Sequence, residues 1–204
     1  MDKQLFDTQR NHQNIFYRKL SKRTLLTNWL AILTANLLSP NLEAKTVKKE
    51  TNKEKNTSRN IHEYYMRLAI KEGKNVPKYP FGAVIVNRLT GEIVSKGYNQ
   101  STHNPILHGE IVAINNCAKH KIKILWSELD LYSTAEPCPM CQSAIEWAGI
   151  KNVYYGSSIP FLQGLKWEQI NIRAQEVSDR TPFRNTKIIG GLLEGECNKL
   201  FLTA

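Results

Sequence analysis

The sequence predicts an α/β fold, a three-layer α/β/α domain with a mixed central sheet over residues 61–204. Strand and helix patterns alternate along this region, which is typical of a sheet covered by helices on both faces. The chain has 204 residues, 41% of them hydrophobic, and can therefore bury one core of ordinary size.

The individual elements follow from local periodicity and from turn residues. Helices are predicted at IHEYYMRLAIKEG (61–73), from near His108 to about His120, at CPMCQSAIEWAG (138–149) and from near Glu168 to Val177. Strands are predicted at FGAVIVN (81–87), GEIVSKGYN (91–99), LDLYST (129–134) and NVYYGSS (152–158), with a last element around TKIIGGLLEG (186–195). The turn RLTG joins the first two strands.

Residues 1–60 form a leader outside this domain. A basic flank at residues 19–23, the apolar run LLTNWLAILTANLLS and the small residue Ala44 resemble a secretory signal peptide ending near residue 44, followed by a flexible linker. Such a protein would be periplasmic or secreted. The leucine spacing within residues 26–37 equally fits an amphipathic helix, and the protein would then stay in the cytoplasm. The run is too short and too polar for a membrane span.

The positive charge of the chain is concentrated in the leader. The whole chain carries +10, but residues 1–60 hold 12 Lys/Arg against 5 Asp/Glu, and residues 61–204 hold only 16 against 13. Residues 61–204, which we call the body, therefore lack the excess of positive charge that is typical of a domain binding nucleic acid. A small molecule is the favoured partner and nucleic acid the less favoured one.

Two short motifs carry the candidate chemistry: HGE at residues 108–110 and PCPMC at residues 137–141. Cys138 and Cys141 lie on one side of the first turn of a helix, so both sulfurs can reach one metal ion. His108, at the start of another helix, can supply a third ligand. Three N/S ligands leave the fourth position of a tetrahedral Zn²⁺ open for water, as in catalytic sites.

Glu110 is predicted to be the catalytic residue. It follows His108 by two positions, which places its carboxylate beside the bound water and not on the metal. Zn²⁺ lowers the pKa of such a water to about 7, so a nearby carboxylate can accept its proton at neutral pH. These residue types fit a hydrolytic reaction.

Each motif alone has an ordinary alternative. An H-x-E sequence is often no more than a helix start, and a C-x-x-C pair in an α/β chain can be a thioredoxin-like redox pair. Their combination in this order resembles the signature of zinc nucleobase deaminases. The segments PFGAVIV, GYN, LHGEI and TAEPCPMCQSAIEWAG are similar to landmarks of the cytidine deaminase-like superfamily, over roughly residues 61–204.

The resemblance implies a zinc-dependent hydrolytic deaminase, commonly a homodimer. It also implies that Asn99 hydrogen-bonds the substrate and that Phe81 forms a wall of its pocket. From the residues alone, Asn99 is equally a turn residue and Phe81 equally a core residue.

The landmarks differ in the substrate they indicate. LHGEI resembles fungal cytosine deaminases, and EPCPMC followed by AIEWA resembles bacterial guanine deaminases. EPC also occurs in bacterial tRNA adenosine deaminases. With the nearly neutral body, we expect a free nucleobase or nucleoside of the cytosine or guanine class as substrate. The alternatives are a tRNA adenosine deaminase and a catalytically idle zinc-stabilised binding module.

Overall fold

The computed structural model describes residues 57, 59–119, 125–183 and 186–204. The helices are α1 (residues 59–73), α2 (Gly109–Ala118), α3 (Pro139–Ala148), α4 (Ile159–Gly164), α5 (Ala174–Asp179) and α6 (Glu194–Leu202). The strands are β1 (Gly82–Asn87), β2 (Ile93–Tyr98), β3 (Leu129–Ala135), β4 (Asn152–Ser157) and β5 (Lys187–Ile189). The signal peptide and most of the linker predicted for the leader lie outside the described residues and stay predictions.

The five strands form one mixed sheet in the order β2-β1-β3-β4-β5. Strand β1 pairs antiparallel with β2 and with β3, whereas β3, β4 and β5 run parallel. The parallel strands are joined through helices, as a parallel connection requires. The predicted mixed sheet is confirmed.

Helices cover both faces of the sheet. On β1, Ala83 and Ile85 face a core cluster that includes residues of α2 and α3, whereas Val84 and Val86 face a cluster that includes residues of α1 and α6. This alternation is the two-residue period of a strand that is buried on both faces. The three-layer α/β/α architecture is therefore also confirmed.

Two glycines let the backbones around the start of α2 approach closely. A Cβ atom at Gly97 in β2 would collide with the backbone of Gly109 and Ala113 in α2. A Cβ atom at Gly109 would lie only 2.8 Å from the carbonyl oxygen of Phe81. The glycine between His108 and Glu110 thus allows the helix to begin directly against the sheet.

The predictions are less accurate after β4. The helix expected from Glu168 to Val177 begins only at Ala174, because Arg173 is extended (φ −74°, ψ 151°) and caps it. The last predicted element is a three-residue strand, followed by a turn at Gly191 (φ +78°) and then by α6. Helices α4 and α6 were not predicted. Among the described residues, no helix is both long and apolar enough to cross a membrane.

Candidate functional site

The three predicted metal ligands lie at the starts of two neighbouring helices. His108 is the N-cap of α2 and Cys138 the N-cap of α3, both with extended backbones. Pro139 occupies the first turn of α3, where its missing N–H and fixed φ are favourable. Neither His108 nor Cys138 uses its side chain to cap its own helix. Both side chains are therefore free to point toward each other across the gap between the helices.

The ligand atoms have the spacing that zinc requires. His108 Nδ1 lies 3.6 Å from Cys138 Sγ and 3.6 Å from Cys141 Sγ. All three ligand atoms lie within 4.8 Å of one another. Tetrahedral Zn²⁺ with bonds of about 2.3 Å to sulfur and 2.0–2.1 Å to nitrogen separates N and S by about 3.6 Å. The residues present therefore fit the ion.

The electrostatics of this cluster favour a thiolate. The pKa of Cys138 is lowered to about 4, mainly because its sulfur accepts a hydrogen bond from the Cys141 thiol, with a further contribution from His108. The same contact and burial raise the pKa of Cys141. The hydrogen bond to Cys138 raises the pKa of His108. A divalent cation can bind this negative sulfur and displace the protons from the imidazole and from the second thiol, so that metal binding releases protons.

Glu110 lies beside this cluster and is nearly enclosed, with only 4% of its surface exposed. Its Oε1 accepts a hydrogen bond of 2.9 Å from Ser133 Oγ in β3. Burial raises the pKa of the Glu110 carboxyl, and the negative charge of Cys138 adds to the shift. A carboxyl in this environment binds a proton more readily than an exposed one, which suits a group that accepts a proton and passes it on.

The two predicted substrate-binding residues lie together beside this cluster. Asn99 Oδ1 accepts a hydrogen bond from the backbone N–H of Ser101 (2.8 Å), and the N–H of Asn99 donates to the carbonyl of Phe81 (2.9 Å). The Asn99 side chain thus forms the local turn with its oxygen. Its NH₂ group has no hydrogen bond to another residue in the part of the chain that the structure describes, so it is available to a ligand. Phe81 packs at 5.0 Å from the Phe201 ring and 5.6 Å from the Trp167 ring, between centroids.

A cavity of about 690 Å³ joins the metal cluster, Glu110, Asn99 and Phe81. Its lining also includes residues that the sequence did not single out, among them Tyr79, Leu165, Lys166, Trp167, Glu168, Gln169, Phe201 and Leu202. They come from the segment before β1, from the segment after α4 and from α6. No local motif marks them, because only the tertiary fold brings these parts of the chain to the site.

Two further polar residues were also missed. Ser133 occupies an interior position of β3, where its hydroxyl needs a partner, and Glu136 is a charged residue between a buried strand and Cys138. A charged side chain in such a place signals a paired carboxylate. The sequence provides that signal but not the identity of the partner.

A family model described as the cytidine and deoxycytidylate deaminase zinc-binding region matches residues 59–157. The match contains all three metal-ligand candidates and Glu110. Because the model is that of a zinc-binding region and the His and two Cys side chains are placed to bind a metal, the predicted zinc cofactor is confirmed.

Two relatives and one solved structure are similar to this chain over 46–69% of its length. A tRNA-specific adenosine deaminase of Streptococcus pyogenes serotype M1 is 34% identical over 147 residues, which are 69% of this chain and 81% of that protein. One from Rickettsia bellii is 39% identical over 98 residues, 46% of this chain and 68% of that protein. A solved structure of a guanine deaminase from Nitrosomonas europaea has a TM-score of 0.60 at 21% identity, covering 69% of this chain and 82% of that one.

These relatives correct one prediction. The expected substrate, a free nucleobase or nucleoside of the cytosine or guanine class, is wrong, because the relatives above 30% identity carry the name of the tRNA adenosine class. The likeness to the guanine deaminase is below 25% identity and shows only the shared fold. The chain belongs to the cytidine deaminase-like superfamily and is a zinc-dependent hydrolytic deaminase.

Proposed function

We propose that the protein deaminates adenosine within tRNA. The observation that carries this proposal is the 34% identity over 147 residues to a tRNA-specific adenosine deaminase. The cavity supports it, since about 690 Å³ is more than a single base needs and leaves room for the ribose and a neighbouring nucleotide. Enzymes that act on a base in RNA draw that nucleotide out of the stack into such a pocket.

His108, Cys138 and Cys141 are the residues that hold zinc in this proposal. Their N and S atoms are the ligand types that zinc prefers, and three protein ligands suit a catalytic site. The ion supplies Lewis-acid chemistry, which makes water acidic enough to lose a proton near pH 7. Since His108 and Cys138 are only partly buried, the side of the cluster that faces the cavity is accessible.

Glu110 moves the protons of the reaction. Its carboxylate accepts a proton from the attacking water and delivers it to the adenine ring nitrogen beside C6. The oxygen of the water forms the new bond to C6. A second proton transfer through Glu110 to the exocyclic amine allows the C–N bond to break, and ammonia leaves. Adenosine and water thereby give inosine and ammonia, with no net change in oxidation state.

Asn99 and Phe81 orient the base. The free NH₂ group of Asn99 donates a hydrogen bond to an acceptor on the substrate, while its oxygen remains occupied by Ser101. Phe81, held by Trp167 and Phe201, supplies an apolar surface against the ring. The two predicted roles of these residues, local structure and substrate contact, are thus compatible.

Local charge at the cavity suits a phosphate backbone in spite of the nearly neutral body. Lys166 lines the cavity, and its ammonium group has no ion pair among the described residues. Lys78 lies 5.4 Å from the ring centroid of Tyr79, another lining residue. Lysines beside half-buried aromatic rings at a cavity are a combination that can bind single-stranded RNA, by charge and by stacking. The homodimer implied by the resemblance stays a prediction, to be checked by sedimentation of the zinc-loaded protein.

The proposal is tested by incubating the zinc-loaded protein with total tRNA and measuring inosine by mass spectrometry of nuclease digests. We expect inosine at a defined tRNA position, with activity that falls steeply as salt is raised, because phosphate contacts are screened. The Glu110→Gln variant is the matched control and should form none. Ammonia release from free bases without inosine in tRNA would overturn the proposal.

A further inference from the structure

The Glu136 carboxylate is buried two residues before the zinc ligand Cys138, and 1% of its side chain is exposed. Arg173 Nε lies 2.8 Å from each of its oxygens. The backbone N–H of Ile159 donates to Oε2 at 3.0 Å, and that of Ala174 donates to Oε1 at 3.0 Å. A buried carboxylate requires such donors, because it has lost the water that would otherwise solvate it.

These contacts connect separate parts of the chain. Ile159 is the first residue of α4 and Ala174 the first residue of α5. The single carboxylate of Glu136 therefore fixes both ends of residues 159–174. Arg173 extends the connection to β4, since its Nη2 donates to the Tyr155 hydroxyl at 3.2 Å.

The segment held in this way carries one wall of the cavity. Residues 165–169, which we call the cavity wall, all line it. Within the wall, Lys166 has a left-handed backbone conformation with φ of 64°, although it is not a glycine. A residue keeps such a conformation only when the surrounding structure holds it there. The Trp167 ring is likewise fixed by edge contacts with Phe81 and Phe201, at 5.6 and 5.7 Å between centroids.

We infer that Glu136 and Arg173 are positioning residues, which hold the cavity wall in place beside the zinc site and thereby set the affinity for the substrate. Glu136 also lines the cavity, but both of its oxygens accept hydrogen bonds from Arg173 and from the backbone, so it acts through the wall. The inference rests on the proposed function for the identity of the substrate, because the wall presents Lys166 and Trp167 to an RNA strand. The anchoring itself is independent of that identity.

The kinetic test compares Glu136→Gln, Arg173→Lys and the control Arg180→Gln, each as the full zinc-loaded chain. Glutamine is isosteric, but its NH₂ group opposes the Arg173 guanidinium. Lysine keeps the charge of Arg173 but lacks the Nη2 group that donates to the Tyr155 hydroxyl, and it has no planar guanidinium to hold in one orientation. The control removes an exposed pair of the same helix, Arg180 with Glu176 at 3.6 Å.

For Glu136→Gln we expect KM for tRNA to rise about tenfold, the effect of losing one hydrogen bond to a charged group. For Arg173→Lys we expect a smaller rise, and kcat and zinc content should stay within about twofold of the wild type in both. Arg180→Gln should leave KM unchanged. If Glu136→Gln fails to fold, Arg173→Lys carries the test, because Arg173 is 39% exposed and its replacement stays solvated.

Hydrogen exchange of the same variants needs no substrate. Amides within residues 159–174 should exchange about tenfold faster in Glu136→Gln than in the wild type, while those of α2 stay protected. If the wild type forms no inosine but this local change occurs, the proposed function fails and the anchoring holds. Unchanged KM and unchanged exchange in both variants would overturn the inference. Loss of zinc together with kcat, at constant KM, would also overturn it, because Glu136 would then support only the position of Cys138.

Discussion

Ser133 Oγ lies 2.9 Å from Glu110 Oε1, so the central strand β3 donates a hydrogen bond to a carboxylate carried by α2. Ser133 is itself buried and faces Ala83 of β1 in the strand register. Because the buried hydroxyl has no access to water, it needs a partner within the protein, and the Glu110 carboxylate is that partner. The contact fixes one oxygen of the Glu110 carboxylate.

This relationship predicts the behaviour of Ser133→Ala. Without the hydroxyl, the Glu110 carboxylate loses its orienting donor, and we expect kcat to fall about tenfold while the zinc content is unchanged. Ser133→Thr keeps a hydroxyl and should retain most of the activity. Equal rates for the alanine variant and the wild type, measured as inosine formation, would show that the hydrogen bond has no part in turnover.

Glu110→Gln tests the proton-transfer role directly. Glutamine keeps the size of the side chain but cannot accept and return a proton, so turnover should fall by at least about 10³-fold. Metal analysis should still find zinc, because Glu110 is not among the three clustered ligand residues. An active glutamine variant would remove Glu110 from the mechanism.

That His108, Cys138 and Cys141 lie together could be predicted from the sequence, because the signals for it are local. Histidine and cysteine at helix starts, and the three-residue step from Cys138 to Cys141, depend only on short-range geometry. Helix α6 has no such signal, since Gly190, Gly191 and Gly195 interrupt the pattern around its start. It is stabilised by tertiary packing, with Cys197 and Phe201 buried against other elements. Tertiary burial of this kind cannot be read from a single segment.

The substrate prediction is wrong because it relies on the net charge of residues 61–204. Recognition of a substrate depends instead on the few charged groups near the cavity. The balance of +3 over residues 61–204 disfavours nucleic acid only when the charge is averaged over the whole domain. A binding site for one RNA loop requires only a few cations near the cavity, such as Lys78 and Lys166, and these hardly change a total. Their position at the cavity depends on the fold and could not be read from composition.

Removal of a metal ligand should lower the stability of the protein as well as abolish its activity. We expect His108→Ala and Cys138→Ala to lose zinc and to lower Tm by about 8–16 °C, since a ligand at about 1,000 times its Kd adds about 4 kcal/mol. Cys117→Ala is the matched control, because Cys117 is a buried thiol outside the cluster of three ligands. It should keep its zinc. Full zinc occupancy in either ligand variant, by metal analysis, would contradict the assignment.

Asn99→Asp separates the two roles of Asn99. The aspartate keeps an oxygen for the Ser101 N–H, so the turn and the folding temperature should be preserved. It lacks the NH₂ group that we expect to contact the substrate, and kcat/KM for tRNA should fall at least about tenfold. If kcat/KM is unchanged while Asn99→Ala lowers only Tm, Asn99 is a turn residue alone.

Asp130 predicts a dependence of stability on pH that is separate from catalysis. Its carboxyl is 4% exposed, and burial raises its pKa, although Asn152 donates a hydrogen bond of 2.6 Å to Oδ1. A raised pKa means that the folded state favours the protonated form. This stabilisation is present below the pKa of the unfolded chain, about 3.9, and is lost as pH rises through the folded pKa.

Asp130→Asn is uncharged at every pH and keeps the oxygen that accepts from Asn152. The variant should therefore have a Tm about 2–4 °C above the wild type at pH 7.5, and the difference should shrink toward pH 4. Both proteins are compared in the zinc-loaded form, so that protonation of the metal ligands at low pH affects them alike. A Tm difference that is the same at both pH values would show that the buried carboxylate carries no penalty in the folded protein.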